Sequence, residues 1–285
     1  MVMCRLIAAS LALVALAGCA TGPERRVNTD AGPVSAKARN RLASEDPAAL
    51  ARVARGFERA GDLKNAHALY QQALAAAPGL VAARAGLARL TILSGNANEG
   101  LARLRELARE SGDTSVWCDL IDALVMLGRF DAAFDAMKAA NTVGLSLSAS
   151  QQARLTAAAG DLDAARARLR QADGTKDNAA ALTMALIEAL DGHYDVAVRS
   201  LQAPLNTARL KTRALRALAL VYGLSDQPAV ANKLANEGLT LQDAQEVKRL
   251  VSLLPRLDPR ERAGLVLFNR LSREAARRLH GTDKE

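Results

Sequence analysis

The side chains with the most reactive chemistry in this sequence are three cysteines and three histidines. They are Cys4, Cys19, Cys118, His67, His193 and His280. None of them lie at the short spacings that structural zinc sites use. No glycine-rich phosphate loop, nucleophile elbow or pair of catalytic carboxylates occurs elsewhere. We therefore expect a protein that is not an enzyme, with no metal, no cofactor and no small-molecule substrate.

Cys19 stands at the end of a short apolar segment. Arg5 is the only formal charge before it, and the apolar stretch Leu6–Leu16 has 11 residues. About 20 residues are needed to span a bilayer, so this stretch is too short for a spanning helix. A positive charge followed by a short apolar run and small residues is typical of a secretory signal. Two alternatives stay open: an N-terminal membrane anchor, or a plain signal peptide in which the cysteine is incidental.

The sequence Leu16-Ala17-Gly18-Cys19 resembles the bacterial lipoprotein box. In that family the cysteine thiol takes a diacylglycerol and a peptidase cuts the chain just ahead of it. The resemblance implies a signal peptide over residues 1–18 and lipidation of Cys19. Because Ala20 and not Asp follows, the family rule favours an outer-membrane anchor facing the periplasm. Cys118 cannot then form an internal disulfide, which suits an oxidising compartment.

Residues 19–46 combine Gly, Pro, Ser and charged side chains without an apolar period. Such a composition buries too little surface to order itself, so we expect a flexible tether behind the acylated cysteine. The chain has a formal net charge of +8, and a strongly positive charge is typical of nucleic-acid-binding proteins. Export to the envelope excludes that partner, and only 3% of the residues are aromatic, which leaves little for base stacking.

From Asp46-Pro47 onward the sequence is periodic. Glycines recur at intervals of 32 to 34 residues, at Gly61, Gly95, Gly128, Gly160 and Gly192, with Ser225 counted as a sixth. A small or branched residue follows each by five positions, ending at Val230, and a large apolar residue follows by nine, ending at Leu234. This period predicts helix–turn–helix units in which the glycine ends the first helix.

The repeated phrases resemble the tetratricopeptide repeat (TPR), most clearly over residues 47–80. The matching positions there are Ala54, Phe57, Gly61, Leu63, Ala66, Tyr70, Ala73, Leu74 and Pro78. The resemblance implies an all-α, right-handed α-solenoid of about six TPR-like helix pairs over residues 47–240. Irregular units are expected toward its end, because Pro204 falls within a predicted helix and the sixth turn lacks glycine.

Such an array presents a groove lined mainly by the first helix of each pair. The ninth position of those helices is Arg55, Arg89, Asp122 and Arg154, followed by Leu186 and Ala219. Three equivalent arginines indicate a groove suited to carboxylates, a chain terminus or an acidic helix of a protein partner. The alternative is that they are ordinary solvated arginines of a basic protein.

The C-terminal residues 241–285 depart from the period. Val247, Leu250, Val251 and Leu254 form an apolar face that ends at Pro255, and Asp258-Pro259 predicts the start of one further helix through Leu279. We expect these capping helices to seal the last repeat, since end units need a polar outer face. Binding of a partner or of anionic lipid head groups is the alternative for this arginine-rich segment.

Residues Arg213–Leu224 and Ser252–Leu257, together with the lipoprotein box and the repeats, resemble the Tad (Flp) pilus assembly lipoproteins of the TadD type. Arg216-Ala217 and Ser225 depart from the family's phrase. The resemblance implies an outer-membrane scaffold whose protein partners are the secretin or other pilus assembly components. A scaffold for polysaccharide export or outer-membrane protein assembly is the alternative, and no site residue is carried over from the family.

Overall fold

The computed structural model describes residues 45–145, 147–171 and 178–281. Within those ranges all regular structure is helical, with fifteen α-helices and one 3-10 turn. The predicted all-α class is therefore confirmed. The predicted signal peptide, the acylated Cys19 and nearly all of the predicted tether lie outside the described residues.

The helices group into two compact units. The first unit comprises the described residues up to Ala123 together with Val143–Leu145, and the second comprises Leu124–Thr142 and the described residues from Leu147 onward. The helices that begin in the first unit are α1 Pro47–Arg59, α2 Leu63–Ala76, α3 Val81–Leu93, α4 Ala97–Ser111 and α5 Thr114–Met126.

The helices of the second unit continue the same alternation of paired helices before the pattern changes near the C-terminus. They are α6 Phe130–Thr142, α7 Ala149–Ala158, α8 Leu162–Gln171, α9 Asn178–Leu190, α10 Tyr194–Leu205, α11 Lys211–Leu224, α12 Pro228–Gly238, α13 Leu241–Leu253, α14 Pro259–Phe268 and α15 Arg273–Gly281. Pro204 is tolerated inside α10, whose last residue follows it.

The start of the array is fixed by a side-chain cap. The Asp46 carboxylate accepts a hydrogen bond of 2.8 Å from the backbone N–H of Ala49, and Pro47 takes the first helical position. Proline suits that position because its missing N–H would have had no helical partner. The predicted helix start is confirmed.

The turn glycines also behave as predicted. All five have a positive φ, between 67° and 100°, at the position just beyond the first helix of each pair. Side chains other than glycine rarely adopt this left-handed conformation, which explains why the period is marked by glycine. The small residue five positions on is fully buried at Ala66, Ala133, Ala165 and Ala197, so neighbouring helices approach closely there.

The sixth turn differs from the prediction by one residue. Ser225 has a φ of −86°, and the left-handed residue is Asp226, with a φ of 59°. Counted from Asp226, the buried positions five and nine residues later are Ala231 and Ala235 rather than Val230 and Leu234. The assignment to Ser225 was wrong because this unit is one residue longer and an aspartate replaces the expected glycine.

The C-terminal segment contains one helix more than predicted. Asp258 caps α14 as expected, and its carboxylate and that of Glu261 form a reciprocal capping box. Asn269, however, adopts a left-handed conformation with a φ of 55° and ends the helix, so α15 begins separately at Arg273. Asparagine is among the few residues that enter this region without large strain. The prediction of one continuous helix through Leu279 is therefore wrong.

Candidate functional site

In the first unit, Arg89 is the centre of a polar network on the face formed by α1, α3 and α5. We call this the first-helix face of the first unit. The Arg89 guanidinium donates two hydrogen bonds of 2.8 Å to the two carboxylate oxygens of Glu58. It also donates to Asp119 and, at 3.0 Å, to the hydroxyl of Tyr70. A bidentate arginine–carboxylate pair fixes both partners in one orientation.

The same network extends to Arg55. One guanidinium nitrogen of Arg55 donates a 2.8 Å hydrogen bond to Asp119, and Tyr70 donates one of 2.8 Å to Glu58. The two arginines and two carboxylates carry no net charge together. The network therefore compensates its own charges, and it joins α1, α2, α3 and α5 through side chains.

The members of the network differ in exposure. The Arg89, Glu58 and Asp119 side chains are 13%, 10% and 6% exposed, whereas that of Arg55 is 40% exposed. Burial opposes ionisation of Glu58, but the hydrogen bonds and charge of Arg89 outweigh it and hold the pKa of Glu58 below its usual value. Arg89 is thus committed to internal partners, and Arg55 is the arginine of this network that solvent reaches.

Asp122 lies one helical turn beyond Asp119 on α5 and reaches solvent. Neighbouring protein removes part of its hydration, and the negative charge of Asp119 adds to the effect, so the pKa of Asp122 rises to about 6. A raised pKa means that the charged form of the carboxylate is disfavoured in its present surroundings. Taking up a proton or pairing with a cation relieves that cost. Arg55 and Asp122 are therefore the charged groups that this face offers to a partner.

The second unit carries a different arrangement. Its α14 packs against α7 and α9, which are first helices of their pairs, and we call their surface the first-helix face of the second unit. Apolar side chains form this contact, including Ala153, Ala157 and Ile187 opposite Ala263 and Leu267. The C-terminal segment thus covers this face, while α13 packs on α12 and α11 at the end of the repeats.

Arg154 contacts the far end of α14. Its guanidinium donates to the backbone carbonyl of Leu267 and lies 4.4 Å from the centre of the Phe268 ring. Burial and the nearby positive charge of Arg213 lower the pKa of Arg154 to about 10. Among the described residues it forms no ion pair.

The four residues predicted to line one groove thus have separate surroundings. Arg55, Arg89 and Asp122 share one face of the first unit, and Arg154 belongs to the second unit. The sequence reasoning missed Glu58 and Asp119, although each is three residues from a predicted position and therefore on the same helix face. A count of one position per helix cannot detect such neighbours.

Within the described ranges no cluster of His, Cys, Asp or Glu has the geometry of a metal site. A membrane-spanning helix is also not found there, since no described helix is both long and apolar enough. Cys118 is buried in α5.

Comparison with known proteins agrees with this fold. Residues 58–117 match the family model described as tetratricopeptide repeat. A tetratricopeptide repeat protein from Parabacteroides merdae is similar in structure, with 14% identity, a TM-score of 0.57, and coverage of 81% of this chain and 92% of that one. The fold is a TPR-like helical array.

Two other solved TPR structures are more distantly similar. YrrB, described as a TPR protein with an unusual peptide-binding site, has 14% identity, a TM-score of 0.34, and coverage of 74% of this chain and 92% of that one. The P58(IPK) TPR domain has 13% identity, a TM-score of 0.29, and coverage of 84% and 81%. No curated protein matches the sequence.

Proposed function

We propose that this chain is a non-enzymatic scaffold that binds protein partners through the first-helix faces of its repeats. The observation that carries the proposal is the exposed pair Arg55 and Asp122 beside a buried, charge-compensated network. Arg89, Glu58 and Asp119 hold the helices in place, so a partner meets a prearranged surface and little conformational freedom is lost on binding. The remaining donors of Arg55 suit a carboxylate of the partner.

The proposed place of action is the periplasmic face of the outer membrane, with the chain anchored through a lipid on Cys19. The lipoprotein box and the apolar segment before it support this location. The resemblance to TadD-type lipoproteins supports a role in assembling a Tad/Flp-type pilus, with the secretin as the principal partner. In this proposal the lipid fixes the location and the repeats supply the binding surface.

The binding role is tested by affinity capture from solubilised outer membranes of cells that produce the pilus secretin. Arg55→Gln removes the exposed charge but keeps a hydrogen-bond donor for Asp119, and we expect secretin capture to fall about tenfold. Arg52→Gln is the matched control on α1, because Arg52 is 70% exposed and its ion pair is with Asp46 outside the network. Equal capture by both variants would contradict the proposed surface.

The identity of the captured protein tests the pilus assignment separately. Capture of polysaccharide-export or outer-membrane-assembly components in place of the secretin would favour the alternative scaffold. The location is tested with Cys19→Ser, which should abolish labelling by a lipid precursor and leave the precursor protein in the inner membrane. Normal outer-membrane fractionation of that variant would exclude the lipid anchor.

A further inference from the structure

One side of α1 is exposed at a position where the later first helices are buried. Gly56 lies five residues before the turn glycine Gly61 and shares one side of the helix with Ala49 and Val53, so we call these three residues the outer side of α1. Among the described residues, a Cβ built on the exposed Gly56 would have no neighbour within 4 Å. The equivalent residues of the five later first helices are between 0% and 7% exposed, namely Leu90, Ala123, Leu155, Ile187 and Val221.

In the later units a preceding second helix covers the equivalent side. Leu90 on α3 belongs to the same hydrophobic cluster as Leu69 on α2. Val221 on α11 belongs to the same hydrophobic cluster as Leu201 on α10. Stacked repeats bury their surfaces by repeating one contact from unit to unit. The occupant that fits the outer side of α1 is therefore a helix of this chain that precedes α1.

The described chain begins in a conformation that suits such a helix. Glu45, the first described residue, is α-helical, and Asp46, with a φ of −148°, separates it from α1, which begins at Pro47. A helical turn takes nearly four residues, so Glu45 has the conformation expected of the last residue of a helix. Glu45 is also only four residues from Ala49. A helix that ended at Glu45 would therefore end close to the outer side of α1.

The sequence before Glu45 has the length and the pattern for this role. Val34, Ala38 and Leu42 recur every four residues, which places them on one side of a helix, and residues 34–45 contain no glycine or proline. Twelve helical residues are about 18 Å long, close to the length of about 20 Å for the 13 residues of α1. The absence of a side chain at Gly56 lets a neighbouring helix approach closely.

We propose that residues 34–45 form a helix whose apolar side packs on the outer side of α1, in the place that a second helix takes in the later units. Only residues 20–33 then remain as a free tether behind Cys19. They span at most about 50 Å, against about 90 Å for residues 20–45. The shorter distance to the membrane rests on the proposed lipid anchor, whereas the packing on α1 does not.

The test is amide hydrogen exchange, followed by mass spectrometry, on the chain purified from cells. An isolated helix of 12 residues is marginal in water, so protection of residues 38–45 reports packing against the array. We expect their amides to exchange at least about tenfold more slowly than those of residues 20–33. Gly56→Gln places a side chain in the contact and should remove this protection. On an uncovered side the same substitution would only strengthen α1, because glycine is a poor helix former.

Arg59→Gln is the matched control on α1. Its equivalents on α3 and α5 are Leu93 and Met126, which stay 44% and 39% exposed, so a preceding helix does not bury this position. Protection of residues 38–45 should therefore persist in this variant. Continued protection of the α1 amides establishes that each variant is folded.

A second pair of variants changes the segment and leaves the array untouched. Leu42→Ser removes an apolar side chain from the proposed contact and should also abolish the protection. Asn40→Ser lies on the other side of the same helix, and the protection should remain.

Exchange of residues 38–45 as fast as that of residues 20–33 in the parent chain would overturn the proposal. So would protection that survives both Gly56→Gln and Leu42→Ser. A dimer in sedimentation that Gly56→Gln converts to a monomer would also overturn it, because the outer side of α1 would then belong to a second copy. Secretin capture through Arg55 is measured independently, so the failure of this inference is distinguishable from the failure of the proposed function.

Discussion

Arg89 and Arg154 occupy equivalent places in their repeats, each six residues before a turn glycine, but their surroundings differ. Arg89 is enclosed by two carboxylates and a phenol in the first unit. Arg154, in the second unit, meets a carbonyl and a ring supplied by α14. The same residue type at the same repeat position is thus a structural ion-pair partner in one unit and a contact for a docked segment in the other.

The difference shows that repeat position determines which face a side chain occupies but not what it does there. The first unit compensates its charges with neighbouring carboxylates on the same helices. The second unit covers its face with a segment from the end of the chain. The following three experiments separate these two modes, beginning with the largest expected effect.

Removal of the Arg89 guanidinium should damage the first unit severely. Arg89→Met leaves the carboxylates of Glu58 and Asp119 nearly buried without their main partner, and we expect a loss of about 3–5 kcal/mol in the free energy of unfolding. Chemical denaturation followed by circular dichroism measures it. Arg84→Met on the same helix is the control, because its ion pair with Glu110 is exposed, and its cost should stay below about 1 kcal/mol. Similar losses for both variants would show that the network is not what stabilises this unit.

Weakening α14 should have a smaller effect, confined to the second unit. Phe268→Ala removes a half-buried ring, and we expect a local loss of about 2 kcal/mol. Amide hydrogen exchange within α14 should then accelerate by roughly 30-fold, because local opening follows that free energy. Phe134→Ala on α6 provides a control, since its half-buried ring lies against the ammonium group of Lys138 on the same helix. Unchanged exchange in α14 would mean that its docking does not depend on the ring contacts.

The smallest effect is expected at Asp122. Because its folded-state pKa of about 6 exceeds the ordinary value of 3.8, the folded state favours the protonated form. The resulting stability is present below pH 3.8 and is lost as the pH rises through about 6. Asp122→Asn should therefore be more stable than the parent at pH 8, by less than about 1 kcal/mol since solvent screens this exposed carboxylate. Thermal melts at pH 8 and pH 3.5 measure the difference, and an equal gain at both values would contradict the assignment.

Much of the fold was predictable because helix pairing leaves a local signature. Each turn needs a left-handed residue and each close helix contact needs a small one. A glycine followed five positions later by a small residue, as at Gly61 and Ala66, therefore recurs along the chain. The sixth turn was assigned to the wrong residue because Asp226 adopts the left-handed conformation although it is not glycine. Asn269 did the same at the end of α14, where no glycine or proline follows to mark the break.

The surroundings of the candidate site were less predictable because they depend on contacts between distant residues. Arg55, Arg89 and Arg154 were identified from their repeat positions, but Asp119 was not identified as the neighbour of Arg55 and Arg89 in the first unit. Nor did the C-terminal pattern indicate which helices α14 would cover. An amphipathic segment shows that it needs a partner surface without showing which one, so sequence periodicity alone could not place it on α7 and α9.

The return of α14 to earlier helices also has a consequence for the order of folding. In a repeat array most contacts are between neighbours and form as soon as the next unit is made. The contact between Arg154 and Leu267 joins residues 113 positions apart, so a long loop must close before it forms. During synthesis the second unit cannot complete this face until the chain has passed Phe268. Contacts between residues so far apart in sequence form slowly. The face is therefore still uncovered in the newly made protein after the contacts between neighbouring helices have formed.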